Sequence, residues 1–428
     1  MRRFHASDPG FQDAFSAFIA ERRETPEEVD ALVRDVLAAV RQEGVEALLR
    51  FAREFDRVEL TEATLRVTPE EIARGAEACP AEVREAIAFA AARIRAYHER
   101  QRPADQRFTD AAGVELGWRW GPLEAVGIYV PGGRAAYPST VLMNAVPAAV
   151  AGVERIAMVT PPGRLQPAVL AAAQEAGVTE IWRVGGAQAV AALAYGAGPI
   201  RPVDKIVGPG NAFVTAAKRR VYGTVGIDAL AGPSEIVVVA DGANDPQWIA
   251  ADLLSQAEHD PAAQSILITD DEAFAARVEA AVAEQLSALA TGADAAASWR
   301  DHGAVIIAPL DESPGLVDQI APEHVEFALD QPERLADRVR HAGAIFLGRY
   351  APEAVGDYVA GSNHVLPTSR AARFSSGLSL YDFLKRTSIV RCDPESFAAL
   401  AQATITLAEA EGLPAHARSA AIRLGQGR

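Results

Sequence analysis

The chain has 428 residues, which is too long for a single hydrophobic core, so we expect two or more domains. Hydrophobic residues make up 49% and charged residues 23%, proportions typical of a globular protein. The formal net charge of -16 argues against a nucleic-acid-binding function, because contacts with phosphates need a basic surface. The two cysteines, Cys79 and Cys392, lie far apart and form no CxxC pair, which excludes a disulfide scaffold and a cysteine-rich zinc site.

No targeting or membrane segment is predicted. Met1-Arg2-Arg3 is not followed by the apolar stretch of a secretory signal. The most apolar run, Val141 to Val153, is interrupted by Asn144 and Pro147 and is too short to cross a bilayer. We therefore expect a cytoplasmic protein without a membrane partner.

Residues 1 to about 110 are predicted to be helical, with residues 1–24 as an N-terminal arm. Thr25-Pro26-Glu27-Glu28 and Thr68-Pro69-Glu70-Glu71 are helix starts with capping residues and an early proline. Two more helices are predicted over Val45 to Phe55 and Ala81 to Arg100. The arginines near the end of the last helix are interpreted as a solvated face; they are Arg93, Arg95, Arg100 and Arg102. This region carries no catalytic signal.

Residues 123–224 alternate between short apolar strands and alanine-rich helices. The predicted strands are Ala125 to Val130, Arg155 to Thr160, Glu180 to Val184 and Val203 to Val207. The predicted helices are Ser139 to Val153, Gln166 to Ala176, Ala187 to Tyr195 and Ala212 to Tyr222. Such βαβα alternation with short loops predicts a doubly wound, Rossmann-like parallel sheet.

Three of these strands end in glycine-rich turns, namely Pro131-Gly132-Gly133, Gly185-Gly186 and Gly208-Pro209-Gly210. Ligands of open α/β sheets bind outside the carboxyl ends of strands, where glycine allows close approach of backbone to phosphate. The chain has neither a GxGxxG fingerprint after a strand nor a P-loop, so plain turns remain the alternative. Tyr129, Gln188 and Asn211 lie beside the turns and are placed to contact a ligand.

A second α/β unit is predicted over about 225–375. Its strands are Glu235 to Ala240, Ser265 to Thr269 and Ala304 to Ala308, and its helices include one that begins at Asp245-Pro246 and one over Ala273 to Leu289. Residues Ala290 to Ser298 are interpreted as a flexible connection.

Candidate ligands for a divalent metal lie in and after this unit. Gln256 and His259 are three residues apart and share one helix face, although a surface histidine is the plainer interpretation. Glu323-His324 suits acid–base chemistry, and a polar pair at a helix end is its alternative. Asp357 and His416 add an oxygen and an imidazole donor, although Asp357 is equally interpretable as a solvated helix residue.

The last part of the chain, 376–428, is too short to form its own core. A strand over Arg386 to Arg391 and a helix over Pro394 to Glu411 are predicted there, and a new helix begins near His416. We expect this tail domain to pack on another surface, such as a partner subunit.

Several motifs together resemble the histidinol dehydrogenase family, in order and from about residue 20 to 420. They are Gly127-Ile128-Tyr129-Val130-Pro131-Gly132-Gly133, Gly185-Gly186-Ala187-Gln188-Ala189, Val207-Gly208-Pro209-Gly210-Asn211, Ala231-Gly232-Pro233-Ser234-Glu235, Ser255-Gln256-Ala257-Glu258-His259, Pro322-Glu323-His324, Gly361-Ser362-Asn363-His364-Val365-Leu366-Pro367-Thr368 and Tyr381-Asp382-Phe383.

The resemblance implies an NAD-dependent zinc enzyme that oxidises L-histidinol through L-histidinaldehyde to L-histidine, the last steps of histidine biosynthesis. By the family pattern, the ligands of one zinc ion per subunit would be Gln256, His259, Asp357 and His416. Glu323 and His324 would be the acid–base pair, and Tyr129, Gln188 and Asn211 would contact NAD. Substrate contacts would be Ser234, Gln256, His259, His324, Asp357, Glu411 and His416.

The family also implies a homodimer in which tail residues such as Glu411 and His416 complete the partner's site. In this arrangement residues 25–122 and 225–375 would form one α/β domain with most metal ligands, and 123–224 the NAD-binding domain. Two other interpretations stay open: a paralogue that oxidises another amino alcohol or diol, and a zinc hydrolase in which Glu323 activates water. A non-catalytic scaffold would leave the metal-type residues unexplained.

Overall fold

The computed structural model describes residues 1–21, 27–132, 137–163 and 165–425. The predicted helix start at Thr25-Pro26 and the last glycine of the turn at 131–133 lie outside these residues. The chain divides into two compact units, one formed by residues 1–101 and 124–383 and the other by 102–123 and 384–428.

Strands and helices alternate through most of the chain. The strands are β1 Arg2–His5, β2 Gln106–Thr109, β3 Glu115–Pro122, β4 Ala125–Tyr129, β5 Arg155–Thr160, β6 Glu180–Arg183, β7 Lys205–Val207, β8 Gly226–Ile227, β9 Glu235–Ala240, β10 Gln264–Thr269, β11 Ala304–Ile307, β12 His324–Ala328, β13 Ala344–Leu347 and β14 Leu384–Arg391. The α-helices are α1 Phe11–Ala20, α2 Glu27–Glu43, α3 Val45–Phe51, α4 Glu62–Leu65, α5 Pro69–Glu77, α6 Ala81–Glu99, α7 Pro138–Ala151, α8 Pro167–Ala176, α9 Gly186–Tyr195, α10 Ala212–Val221, α11 Pro246–Ala257, α12 Glu272–Leu286, α13 Gly292–His302, α14 Ser313–Ile320, α15 Glu333–Ala336, α16 Glu353–Tyr358, α17 Pro394–Ala410 and α18 Pro414–Ala421. A π-helical turn, Ala52–Asp56, follows α3. Within the described ranges no helix is long and apolar enough to cross a membrane.

The first sheet of the larger unit has five parallel strands in the order β6-β5-β4-β7-β8. Counted along the chain within the sheet this is 3-2-1-4-5, the order of the Rossmann fold. Every residue of β4 is buried, as expected for a central strand covered on both faces. The order reverses between β4 and β7, and this switch point is where such sheets bind ligands.

The second sheet has six parallel strands in the order β1-β11-β10-β9-β12-β13. Without β1 it repeats the order 3-2-1-4-5, so the chain holds two Rossmann-like halves and the predicted fold class is confirmed. Two local predictions were wrong. Residues 2–5 form an edge strand rather than helix, because backbone pairing with β11 outweighs their polar side chains, and most of Ala290 to Ser298 belongs to helix α13.

The smaller unit contains an antiparallel sheet in the order β14-β3-β2, together with α17 and α18. The two helices bury a small cluster made by Ile405, Ala408, Ala417 and Ala420. The predicted strand at 386–391 and helix at 394–411 are confirmed within two residues at each end. Strands β2 and β3 were not predicted, because the residues of β2 are exposed, those of β3 are mostly half-buried, and neither strand shows an apolar run.

Gly208, directly after β7, is the position where the fold depends most clearly on glycine. Its φ is +111°, and a Cβ atom there would lie 2.3 Å from the carbonyl oxygen of Tyr129. Gly177 is a matched control, because its φ is +79° and its Cβ would meet nothing within 4 Å. We expect Gly208→Ala to lower the free energy of unfolding by roughly 3 kcal/mol and Gly177→Ala by about 1 kcal/mol. Urea denaturation measures both, and equal losses would contradict the steric argument.

Candidate active site

The catalytic candidates lie at the amino edge of the second sheet, where β9 and β12 are neighbours. Residue His324 pairs in register with Ile236, so Glu323 and His324 at the start of β12 face Glu235 at the start of β9. Helix α11 follows β9 and returns its carboxyl end to the same edge, since the next strand in the sheet, β10, begins there. Strand order therefore brings Gln256 and His259 towards Glu323 and His324.

Backbone contacts with β9 orient the Glu323–His324 pair. One carboxylate oxygen of Glu323 accepts a hydrogen bond of 3.0 Å from the Glu235 N–H. The Nδ1 atom of His324 lies 3.2 Å from the Glu235 carbonyl oxygen. Because a carbonyl only accepts, Nδ1 must carry the proton, and Nε2 of the neutral ring is left as the basic nitrogen.

Three metal-type side chains converge next to that nitrogen. Donor atoms of His259, Glu353 and Asp357 all lie within 4.8 Å of one another. The His324 Nε2 atom is 3.9 Å from a Glu353 oxygen and 3.8 Å from an Asp357 oxygen. Asp357 is mostly buried, so the interpretation of a solvated helix residue was wrong, while His259 is exposed at the mouth of the cluster.

Several polar atoms here are buried without a hydrogen-bond partner among the described residues. They include the side-chain oxygen of Gln256, one oxygen of Glu353 and Nε2 of His324. Buried polar atoms are normally paired, so atoms left over at one place indicate a missing ligand. Oxygen and imidazole donors suit zinc or a similar divalent cation. The residues present thus fit the metal that the sequence predicts.

A second layer of contacts fixes the cluster. The backbone N–H of Glu353 donates to a carboxylate oxygen of Glu326. The side-chain carboxylate of Glu353 accepts a hydrogen bond of 3.1 Å from the Ser255 hydroxyl. The Arg93 guanidinium donates to the Val359 and Ala360 carbonyls just beyond α16. Arg93 is exposed, as the prediction of a solvated face requires, and it makes these two hydrogen bonds from the surface. Such outer contacts hold metal ligands in place.

His364 also lies beside the cluster. The Nδ1 atom of His364 is 3.0 Å from the carbonyl oxygen of Asp357. As in His324, the contact with a carbonyl requires that Nδ1 carries the proton. Burial lowers the pKa of His364 to about 4. The ring is therefore neutral near pH 7, with Nε2 as its free acceptor.

Burial dominates the electrostatics of this edge. It raises the pKa of Glu353 to about 8 and that of Asp357 to about 6. Burial also raises the pKa of Glu323 well above its ordinary value and lowers the pKa of His324 to about 3. Groups whose pKa values are pushed from their usual range in opposite directions are typical of acid–base sites.

The remaining predicted substrate contacts fall in two places. Ser234 is half-buried and immediately precedes β9, at the same edge as Glu323. Glu411 directly follows α17 and His416 lies in the first turn of α18; both are exposed and belong to the smaller unit. The structure thus gathers the predicted metal-binding, acid–base and substrate-binding residues of the larger unit at one edge, and the part played by the two tail residues stays a prediction.

The three predicted NAD contacts lie at the carboxyl edge of the first sheet. Tyr129 ends β4, and its hydroxyl accepts a hydrogen bond of 3.0 Å from the Gly186 N–H at the start of α9. Gln188 is buried in the first turn of α9. The Asn211 side-chain oxygen caps α10, accepting from the Phe213 and Val214 N–H groups. The side-chain NH₂ of Asn211 is the part left to face a ligand.

Two hydrogen bonds connect this edge with the metal-type cluster. Thr215 in α10 donates to the Ala231 carbonyl, at 3.1 Å, three residues before Ser234. Asn363 donates to the Met143 carbonyl in α7, at 2.6 Å, and precedes His364. The helices that follow the glycine-rich turns thus pack directly on the segments that carry Ser234 and His364.

Two residues of the site were missed from the sequence. Glu353 lies four residues before Asp357, so the spacing of two carboxylates on one short helix was the available signal. Glu235 contributes through its backbone: its N–H donates to Glu323 and its carbonyl oxygen accepts from His324. Backbone contacts of this kind leave no pattern of side chains in the sequence.

Comparison with known proteins gives one consistent result. A family model described as histidinol dehydrogenase matches residues 19–424. Histidinol dehydrogenase from Caulobacter vibrioides is 81% identical over 100% of both chains, and that from Mesorhizobium japonicum is 61% identical over 98% of both. The crystal structure of histidinol dehydrogenase from Elizabethkingia anophelis superposes with a TM-score of 0.94 at 34% identity, covering 99% of this chain and 98% of that one. The chain therefore belongs to the histidinol dehydrogenase family.

Proposed function

We propose that this enzyme oxidises L-histidinol through L-histidinaldehyde to L-histidine, with zinc at the amino edge of the second sheet and NAD at the carboxyl edge of the first. The observation that carries the proposal is the convergence of His259, Glu353 and Asp357 beside the basic nitrogen of His324. The change from alcohol to carboxylate takes up one water and releases three protons as two NAD molecules are reduced.

The zinc ligands would be Gln256, His259 and Asp357, with His416 from the tail of the partner subunit. Glu353 is a further donor within reach of His259 and Asp357. A zinc ion held there would offer a Lewis-acidic anchor for the amine and imidazole nitrogens of histidinol. Ser234 and Glu411 would make the remaining substrate contacts.

The acid–base roles follow from the tautomer and the burial of the pair. Nε2 of His324 has no hydrogen-bond partner in the described part of the chain, so it is free to take the proton of the substrate hydroxyl in the first oxidation. In the second step water must attack the aldehyde. Burial raises the pKa of Glu323, which makes its carboxylate a stronger base than an ordinary one and suits removal of a proton from this water.

We infer that residues 123–224 bind NAD and that residues 25–122 and 225–375 carry most metal ligands. The tail, 376–428, would pack on the partner subunit of a homodimer, so that each active site is shared. The exposure of Glu411 and His416 supports this, because both are free to face a second chain.

The first test is NADH production from L-histidinol by the purified protein. We expect two NADH per histidinol, loss of activity with a chelator, and recovery on addition of zinc. NADH from other amino alcohols but not from histidinol would favour a paralogous dehydrogenase. A folded protein that binds zinc but not NAD would instead favour a hydrolase.

Loss of single ligands should lower the bound zinc. We expect His259→Ala, Asp357→Asn and His416→Ala each to reduce zinc per subunit by more than half after dialysis, measured by atomic absorption. Glu258→Gln is a matched control, because Glu258 is next to His259 but bonds to the Thr291 hydroxyl at 2.6 Å. Full zinc content in His416→Ala would refute the assignment of the tail histidine.

His324→Asn should lower kcat by roughly 10²–10⁴ because the general base is lost, while zinc content stays unchanged. The asparagine amide can still donate to the Glu235 carbonyl, so the local backbone should hold. His98→Asn is the control, since His98 is equally buried and its Nδ1 bonds to the Ile94 carbonyl at 2.8 Å away from the site. Steady-state kinetics that show the same kcat loss in both variants would contradict the role of His324.

A further inference from the structure

A buried ion pair lies beneath the turn at the switch point of the first sheet. Lys218 of α10 and Asp228, directly after β8, form this pair, and at most 5% of either side chain is exposed. The Lys218 ammonium also donates to the carbonyl oxygen of Gly208 at 3.0 Å. The second oxygen of Asp228 accepts from the Gly208 N–H at 2.7 Å. Each charged partner thus bonds to a different polar group of Gly208.

Stability alone gives no reason for an ion pair at this position. Two charges taken out of water lose hydration that their attraction only partly restores, and apolar pairs of similar size are often as stable or more so. The Lys218 ammonium already bonds to Asp228 and to the Gly208 carbonyl, so it is not available to bind a phosphate. What distinguishes it from an apolar pair is that it fixes the orientation of the backbone at Gly208.

Orientation at Gly208 determines where the next residues lie. The Gly208 Cα packs against the Tyr129 carbonyl at the end of β4, and Pro209 restricts the following φ. Two residues later Asn211 caps α10, the same helix that carries Lys218. The pair therefore ties together β7, β8 and α10 around the residues 208–211.

We propose that the Lys218–Asp228 pair is a positioning device that holds the turn 208–211 in the conformation that binds the dinucleotide. This inference rests on the proposed function, in which that turn contacts NAD. The two residues do not touch the reacting atoms. Their loss should weaken the binding of NAD and leave the chemistry at Glu323 and His324 unchanged.

The test replaces the charged pair by an apolar pair of similar volume, Lys218→Met with Asp228→Leu. We expect a folded enzyme whose KM for NAD rises at least tenfold, while kcat and the KM for histidinol stay within twofold of the parent. The matched control is Arg155→Met with Glu180→Leu, which removes a mostly buried ion pair of 2.7 Å from the opposite, amino edge of the same sheet. The control should leave the KM for NAD unchanged.

An unchanged KM for NAD in the folded double variant overturns the inference. If that variant does not fold, Asp228→Asn decides, since it keeps an oxygen for the Gly208 N–H but removes the counter-charge of Lys218. A raised KM for NAD with unchanged kcat then supports the inference, and parent values overturn it. Failure of the proposed function would be visible separately, as absence of NAD reduction by the parent enzyme.

Discussion

The site depends on one constraint, the burial of many acceptor groups at one edge of a sheet. The carboxyl groups of Glu323, Glu353 and Asp357 lie there with the amide oxygen of Gln256. In the described part of the chain no lysine or arginine forms an ion pair with Glu353 or Asp357, and burial lowers the pKa values of the neighbouring His324 and His364. Isolated buried carboxylates cost several kcal/mol each, so such a group must hold protons or a cation. These donors are brought together by the order of the strands and by α11, which runs back to the amino edge of the sheet.

The residues of the two proposed sites lie at opposite edges of the two Rossmann-like halves. In the first, the carboxyl edge carries glycine-rich turns and the capped start of α10. In the second, the corresponding crevice is filled by the protein itself: Arg349 pairs with Asp241 at 2.8 Å and with Asp330 at 3.0 Å, and Asn244 donates to the Ala328 carbonyl. The repeated fold therefore does not imply a repeated site, and the proposed chemistry of the second half lies at its amino edge.

Much of the fold could be predicted from the sequence, because buried parallel strands such as 235–240 appear as unbroken apolar runs. Strands β1, β2 and β3 could not, since they lack an apolar run and depend on backbone pairing with other segments. The same distinction applies to the site. Gln256, His259 and the 323–324 pair were visible as residue types, and their roles came from resemblance to a family. The contribution of the Glu235 backbone depends on the register of β9 and β12, which the local sequence does not encode, whereas Glu353 had only its spacing from Asp357 as a signal.

The pairing of distant segments also determines the order in which the chain can be completed. Strand β1 pairs with β11, about three hundred residues later, and β3 pairs along its whole length with β14 near the carboxyl terminus. On the ribosome, the first sheet has all its strands once residue 227 has emerged, whereas the small antiparallel sheet must wait until β14 is synthesised. Bringing such distant segments together costs loop-closure entropy, so the contacts between them form slowly. The unit that carries Glu411 and His416 is thus the last to be completed, and a chain truncated before β14 would have the strands of both parallel sheets but would lack both of these residues.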